Sequence, residues 1–253
     1  MTDQVLFITG AGSGMGQLAA RRALDAGWKV AALDVQAAGL DQLGDSPRLL
    51  KLMVDITDYG AVEQAVTQAE SRLGPIDRLV NAAAIMPLGA LMEQPRETIQ
   101  KIMAINYGGM VNVTRAALPG MLKRRRGEFV NFASMAGHWP VMYMGAYNAA
   151  KHAVVAFTEV LHHENRHSGV RIICVCPPTV ATPLLKQAQD TKWPKLLDVF
   201  PPIKSEQVLD HIERVLKGRG FWVFTGPYTP MSWRMRRWFP GLMWWADHHF
   251  EGV

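Results

Sequence analysis

The 253-residue sequence predicts an α/β protein: a doubly wound parallel sheet of about seven strands with helices on both faces. Three observations carry that expectation. Short apolar runs alternate with longer amphipathic ones along most of the chain. The short runs are almost continuously apolar, as in strands covered on both faces, where every side chain is buried. The first of them passes through a glycine-rich turn into a helical stretch, the start of a strand–helix–strand crossover, which is right-handed in such sheets.

Taken in order, Val5–Thr9 is the first strand and Gly14–Ala26 the first helix. Trp28–Leu33 and Leu49–Val54 are the next two strands, rich in Val, Ile and Leu. A helix over Tyr59–Arg72 leads to the strand Ile76–Asn81, and a long helix over Arg96–Lys123 leads to Glu128–Phe132. The helix Gly145–Arg166 precedes the strand Val170–Val175, and the helix Ser205–Lys217 precedes the short run Phe221–Phe224. No Gly/Ser linker interrupts the series, so residues 1–253 are read as one domain. Two segments depart from the alternation. Residues 179–204 carry four prolines and are read as a substrate loop or lid. The last 33 residues, from Phe221, hold ten of the 22 aromatic residues. Within the tail, 226–253, Met231, Met235, Trp238, Leu242 and Trp245 recur at three- and four-residue steps, with Arg234, Arg236 and Arg237 off that line. Pro240 starts a new turn or interrupts the helix. This tail is expected to pack over its own pocket or a partner subunit, to lie on a membrane interface, or to be a poorly ordered end.

Composition removes several function classes. With 49% hydrophobic and 19% charged residues the chain has material for a packed core and is not a disordered protein. The net charge of +5 is dispersed apart from residues 123–126 and the three tail arginines, and no nucleic-acid-reading module is present. Cys174 and Cys176 exclude a disulfide framework and a four-thiolate zinc site. The first residues lack a basic leader, and no uncharged apolar run approaches the roughly 18 residues of a span, so a cytoplasmic protein is expected. His163-Glu164-Asn165-Arg166-His167 matches the H-E-x-x-H zinc signature. It falls at a predicted helix end with no third ligand downstream, and no metal is expected there.

The chemistry concentrates at strand ends. Gly10-Ala11-Gly12-Ser13-Gly14-Met15-Gly16 lies between a strand and a helix, where glycines admit a pyrophosphate to the backbone and the helix N-terminus favours its charge. Asp34 ends the second strand about 20 residues on, placed to accept the adenosine ribose hydroxyls and to repel a 2′-phosphate. No Arg or Lys follows within several residues, and Ser13 stands where a basic residue would serve NADP, so NAD is favoured. Asp55-Ile56 follows the third strand. Asn81-Ala82-Ala83-Ala84 ends the fourth, its small residues letting a cofactor lie against the backbone. Tyr147 and Lys151, four apart, share a helix face, and an ammonium beside a phenol favours the phenolate. Ser134 ends the fifth strand, at the edge where open α/β sheets place ligands.

As a set, Thr9-Gly10-x-x-x-Gly14-x-Gly16, Asp34, Asp55, Asn81-Ala-Ala-Ala, Asn106, Ser134, Tyr147 and Lys151 resemble the short-chain dehydrogenase/reductase family, in its single-domain form of about 250 residues. The resemblance covers about residues 4–225 and implies a Rossmann-type fold and hydride transfer. It makes Tyr147 the residue exchanging a proton with the substrate oxygen, Ser134 its hydrogen-bond partner, and Lys151 the ligand of the nicotinamide ribose. Asn106 would hold a water in the proton relay, and Thr182 the nicotinamide carboxamide. Cofactor contacts are implied for Gly10, Ser13, Gly14, Met15 and Gly16, for Asp34, Asp55 and Ile56, and for Asn81, Ala82 and Ala83. They are implied also for Tyr147, Lys151, Pro177 and Val180. The chain departs from the family in having Ala82 and Ala84 where Asn and Gly are usual, and Pro178 where Gly is usual. By the same analogy the segment Met135–Met144 borders the substrate pocket with Ile85, Met86, Leu184, Leu185 and Trp193. These side chains offer no arginine fork, so the expected substrate is a lipophilic secondary alcohol or ketone. The expected assembly is a homodimer or homotetramer. The alternative, a catalytically idle dinucleotide sensor or scaffold, is disfavoured because Ser134, Tyr147 and Lys151 are all present.

Overall fold

The computed structural model describes residues 3–252. Strand β1 (Val5–Thr9) passes through the glycine turn into helix α1 (Gly14–Asp25), followed by β2 (Lys29–Asp34), a short α2 (Ala37–Asp41) and β3 (Leu49–Met53). Helix α3 (Tyr59–Leu73) connects to β4 (Arg78–Asn81). Then come α4 (Arg96–Met103), a π-helical turn over Ala104–Gly109, and α5 (Met110–Arg124) leading to β5 (Gly127–Phe132). Helix α6 (Gly145–Glu164) precedes β6 (Val170–Val175). After α7 (Pro183–Gln189) and a 3-10 turn at Lys195–Val199 come α8 (Ser205–Lys217), β7 (Trp222–Val223), α9 (Thr229–Trp238) and α10 (Pro240–Glu251).

All seven strands are parallel, in the order β3-β2-β1-β4-β5-β6-β7. The strand order reverses between β1 and β4, and a ligand crevice opens at such a switch point, outside the carboxyl ends of the strands. The uninterrupted apolar strands have the expected cause. Every residue of β1 is buried. Val5 and Phe7 pack into the layer of α3 and α5, while Leu6 and Ile8 pack into the layer containing α1 and α8. A parallel strand with successive side chains on opposite faces has no polar face to show.

Several expectations change in detail. The long helix over residues 96–123 is interrupted by the π turn, where a Cβ on Gly109 would lie 2.4 Å from Ile56 Cγ1, so the chain there runs hard against the loop after β3. Residues 179–204 are not an open loop: they fold into α7 and a 3-10 turn, and Val180 bridges to Ile203. The tail is two helices broken at Phe239–Pro240, as a proline at the first position of a helix allows. Helix α6 ends at Glu164, so His163 and His167 do not share a helix face, and His167 Nε2 accepts from Arg166 Nε at 3.0 Å. No cluster of metal-ligating side chains occurs among the described residues. Cys174 and Cys176 are buried free thiols, 3.7 Å apart at sulfur.

Candidate active site

The β1–α1 turn is built from close backbone contacts. Gly10 and Gly14 have φ of +68° and +53°, a region that side chains disfavour. A Cβ on Gly10 would lie 2.7 Å from Ala83 N, and one on Gly16 would lie 2.1 Å from the Gly10 carbonyl oxygen. The ends of β1 and β4 and the first turn of α1 are therefore in backbone contact. Ser13 is the N-cap of α1 but its side chain makes no cap, leaving first-turn N–H groups open to an anion. Asp34 Oδ2 accepts from Gly12 N–H at 2.8 Å, and its Oδ1 accepts from Gln36 N–H at 3.0 Å. Two backbone donors thus hold that carboxylate at the tip of β2. The sequence offered no sign of Gln17, whose Nε2 donates to the carbonyls of Gly12 (3.0 Å) and Gly39 (3.1 Å) and so ties the turn to α2.

The other expected contacts divide. Ala82 and Ala83 donate their N–H groups to Thr9 Oγ1, which holds the end of β4 flat beside β1. Asn81 is buried and its amide is turned into the sheet, toward Asn131 Oδ1 (2.8 Å) and Thr114 Oγ1 (3.4 Å). Asp55 lies beyond β3, accepting from the Thr57 N–H and hydroxyl. Ile56 is buried, and its carbonyl accepts from Asn112. Thr182 stands at the N-cap position of α7 without a side-chain cap and reaches the glycine turn: a Cβ on Gly14 would meet it at 3.4 Å. Met15, Pro177, Val180 and Thr182 all line the main cavity.

Ser134, Tyr147 and Lys151 line that same cavity. Ser134 follows β5 and accepts from Ala136 N–H at 3.1 Å, shaping a 3-10 turn over Met135–Gly137. Tyr147 and Lys151 project from the first turns of α6 and are 5% and 3% exposed. Lys151 Nζ donates to the Phe132 carbonyl at 2.8 Å and lies 5.7 Å from the centre of the Tyr147 ring. The expected acidification of the phenol is corrected here. Burial pushes the Tyr147 phenol up to about 12, only partly offset by the hydrogen bond with Ser134. Burial also pulls the Lys151 ammonium down to about 8, against the neighbouring Cys174 and Cys176 sulfurs, which favour the charged form. Two buried groups that each disfavour charge cannot reproduce the effect of an exposed ammonium on an exposed phenol.

Asn106 sits on the π turn, 2% exposed, with Oδ1 accepting from Ile85 N–H and Nδ2 donating to Ile85 O, both at 2.9 Å. Asn148, inside the Tyr147–Lys151 motif, was not singled out from sequence. Its Nδ2 donates to the carbonyls of Ala136 (2.8 Å) and Trp139 (3.3 Å), anchoring the loop between Ser134 and Tyr147.

The cavity has a volume of about 280 Å³. Met86, Trp139, Met144, Leu184, Leu185 and Trp193 form much of its wall, and among the described residues Lys151 is its only charged lining side chain. Ile85 is a correction: it packs on Ile102, Ala146 and Ala150 instead of facing the cavity. The tail contributes Tyr228, Thr229 and Ser232 to the lining. Helix α10 straps the two walls: Asp247 Oδ2 accepts from Met142 N–H at 2.9 Å, and Glu251 Oε1 from Lys195 N–H at 2.6 Å. Burial raises the Asp247 carboxyl, and the Met142 N–H pulls the other way. The apolar stripe expected in the tail does not make this contact. Met231, Trp238, Leu242 and Trp245 are exposed, whereas Met243 and Asp247, on the helix that restarts at Pro240, are buried.

Comparison with known proteins places this geometry. Residues 4–193 match the short chain dehydrogenase family model. The chain is 42% identical over 165 residues to the inactive 2-(S)-hydroxypropyl-CoM dehydrogenase 2 of Xanthobacter autotrophicus, covering 64% of this chain and 72% of the relative. It is 35% identical over 205 residues to the 2-(R)-hydroxypropyl-CoM dehydrogenase of the same organism, covering 78% and 81%. Among solved structures, a short chain dehydrogenase/reductase from Burkholderia phymatum in complex with NAD superimposes with a TM-score of 0.84 at 26% identity, over 96% of each chain.

Proposed function

That this chain belongs to the short-chain dehydrogenase family is the premise from which we propose its activity: NAD(H)-dependent interconversion of a lipophilic secondary alcohol and its ketone. One observation carries the reading. Ser134, Tyr147 and Lys151 converge on a single apolar cavity that also reaches the glycine turn through Met15 and Thr182.

The residues present fit a dinucleotide. The turn Gly10–Gly16 with the open N-terminus of α1 would hold the pyrophosphate, the Asp34 carboxylate the adenosine ribose, Lys151 the nicotinamide ribose and Thr182 the carboxamide. NAD is favoured over NADP because Asp34 carries its charge where a 2′-phosphate would lie, and Val35 to Leu40 supply no cation. When bound, the nicotinamide supplies the hydride acceptor or donor.

Tyr147 gives a proton to the carbonyl oxygen in reduction and takes one from the hydroxyl in oxidation. Held neutral by burial, it is poised as the acid in the free protein. Ser134 donates to the same substrate oxygen and fixes its position. Asn106, clamped on Ile85, keeps one amide hydrogen for a water in the proton path. The apolar wall excludes bulk water and accepts an uncharged substrate, since Lys151, the only cation lining the cavity among the described residues, is taken by the nicotinamide ribose. The hydroxypropyl group in the relatives' names is itself a secondary alcohol. The inactive relative invites a second reading, an idle dinucleotide binder, against which stands the intact trio of Ser134, Tyr147 and Lys151.

The test is to follow nicotinamide absorbance with NAD and with NADP across uncharged hydrophobic secondary alcohols and ketones. Turnover with NAD, and an Asp34→Ala variant whose NAD-over-NADP preference falls about tenfold, about 1.4 kcal/mol, are expected. No turnover across the panel despite tight NADH binding establishes the idle reading, and an unchanged preference removes Asp34 from the cofactor assignment.

A further inference from the structure

The two tail helices face two ways. Toward the protein they present Thr229 and Ser232, which line the cavity, and the buried Met243 and Asp247, the latter accepting from Met142 N–H. Toward solvent, Trp238 is 72% exposed, Phe239 57%, Leu242 49% and Trp245 62%. Half of the large hydrophobic side chains exposed on the described surface lie between Tyr228 and Phe250, a concentration found in no other stretch of that length.

The charge there is one-sided. From Gly218 to Ala246 the chain has no Asp or Glu, yet it has Arg219, Arg234, Arg236 and Arg237. The three arginines of α9 form none of the ion pairs seen among the described residues. Arg236 lies over the Trp244 ring, 5.9 Å from its centre. A second copy of the chain is a poor occupant of this surface. A two-fold contact would set the patch against itself and bring unpaired arginines together. A surface that offers anionic groups above an apolar layer matches both features. Trp, Phe and Leu beside Arg on a helix is the composition of elements that lie in the headgroup region with the apolar side chains about 5–10 Å deep. No helix among the described residues is long and apolar enough to cross a membrane, so such contact is peripheral.

We infer that α9 and α10 dock the protein on an anionic bilayer surface through Trp238, Phe239, Leu242 and Trp245, with Arg234, Arg236 and Arg237 meeting the headgroup phosphates. The cavity rim belongs to the same region. Tyr228 lines the cavity, is half exposed, and packs 5.7 Å from Phe200 ring to ring. The docked protein therefore holds its apolar cavity next to the membrane interface. Docking itself does not depend on the reaction catalysed.

The full chain is floated with vesicles of equal phosphatidylglycerol and phosphatidylcholine, and with phosphatidylcholine alone, at low and high salt. Flotation is expected with the anionic vesicles and at least tenfold less with phosphatidylcholine alone. Arg234→Gln with Arg236→Gln and Arg237→Gln abolishes the anionic preference and its salt sensitivity. Trp238→Ala with Trp245→Ala weakens binding at every salt concentration. Unchanged melting of the variants establishes that they fold. Should either melt early, quenching of wild-type tryptophan fluorescence by brominated phosphatidylglycerol replaces it, with quenching expected. The inference is overturned if the wild type does not float or is not quenched, or if folded variants float as well as wild type. It is overturned also if the tryptophan variant lowers the oligomeric state in sedimentation while the wild type stays off vesicles, which makes the patch a contact between copies.

Discussion

The dinucleotide end of the cleft and the substrate end are made of different material. Around Gly10–Gly16, the contacts that set the shape are backbone on backbone: Gly10 against Ala83, Gly16 against Gly10, Gly39 against Gly12. Around the cavity, the shape comes from side chains of widely separated segments, Met86, Trp139, Leu184, Trp193 and Tyr228, pinned by polar clasps such as Asn148 to Ala136 and Asp247 to Met142. A backbone cradle tolerates almost no added atom. A side-chain wall can be repapered while Ser134, just after β5, and Tyr147 and Lys151 on α6 stay in place. One scaffold can thereby keep a cofactor and change substrates.

The sharpest break in that comparison falls where the two ends meet. Tyr147→Phe removes only the hydroxyl, and turnover is expected to fall about a hundredfold or more, while NADH binding, read by tryptophan fluorescence, stays close to wild type. A variant retaining more than about a tenth of the rate, a barrier change of only ~1.4 kcal/mol, removes Tyr147 from the proton step.

At the backbone end, Gly16→Ala places a methyl group 2.1 Å from the Gly10 carbonyl oxygen. The turn must move, and NADH affinity is expected to fall about ten- to a hundredfold, about 1.4–2.7 kcal/mol, measured by titration. Unaltered affinity would mean the turn is not the cradle.

Acid should distinguish the two ends as well. His138 lies behind the cavity wall among Trp222, Phe224 and Trp233, and burial holds its imidazole at about 4. The unfolded chain takes up that proton near 6.5 and the folded one does not, so the contribution to stability is complete above pH 6.5 and is lost as pH falls toward 4. Up to about 3 kcal/mol is at stake, less a discount for the part of the ring that water reaches. Denaturant melts across this range should show a flatter acid slope in His138→Phe than in wild type; parallel slopes refute the assignment.

The smallest expected effect concerns the strap. Asp247→Ala leaves the Met142 N–H without its acceptor, a cost of about 1–3 kcal/mol if that group stays buried. The expected result is a raised KM for the alcohol with NADH affinity unchanged. An equal loss of both would mean that α10 supports the fold as a whole and not the substrate wall.

Much of the dinucleotide end was readable as text. The glycine turn, Asp34, Ser134 and the Tyr147–Lys151 pair are short-range patterns whose backbone conformation or helical spacing is local, and the fold carries them where the strand order reverses. The continuous apolar strands announced themselves because burial on both faces leaves no polar positions. Less legible were Gln17, Asn148 and Asp247, single polar residues whose value lies in a backbone group across a turn or far along the chain. The π turn at Ala104–Gly109, where Gly109 lies against Ile56, is recorded by no periodicity. The interruption at Pro240 was legible in the tail, but not which side of each of its two helices would be buried.

By itself the sequence determined the parallel sheet, the position of the cleft and the grouping of Ser134, Tyr147 and Lys151, since these follow from patterns that span a turn or two of helix. Only the tertiary structure decided the surroundings of Tyr147 and Lys151, whose burial pushes the phenol up and the ammonium down. It also decided which face of the tail closes the cavity and which is left in solvent. Desolvation and helix phase are properties of the assembled surroundings, and a residue type carries neither until its neighbours are in place.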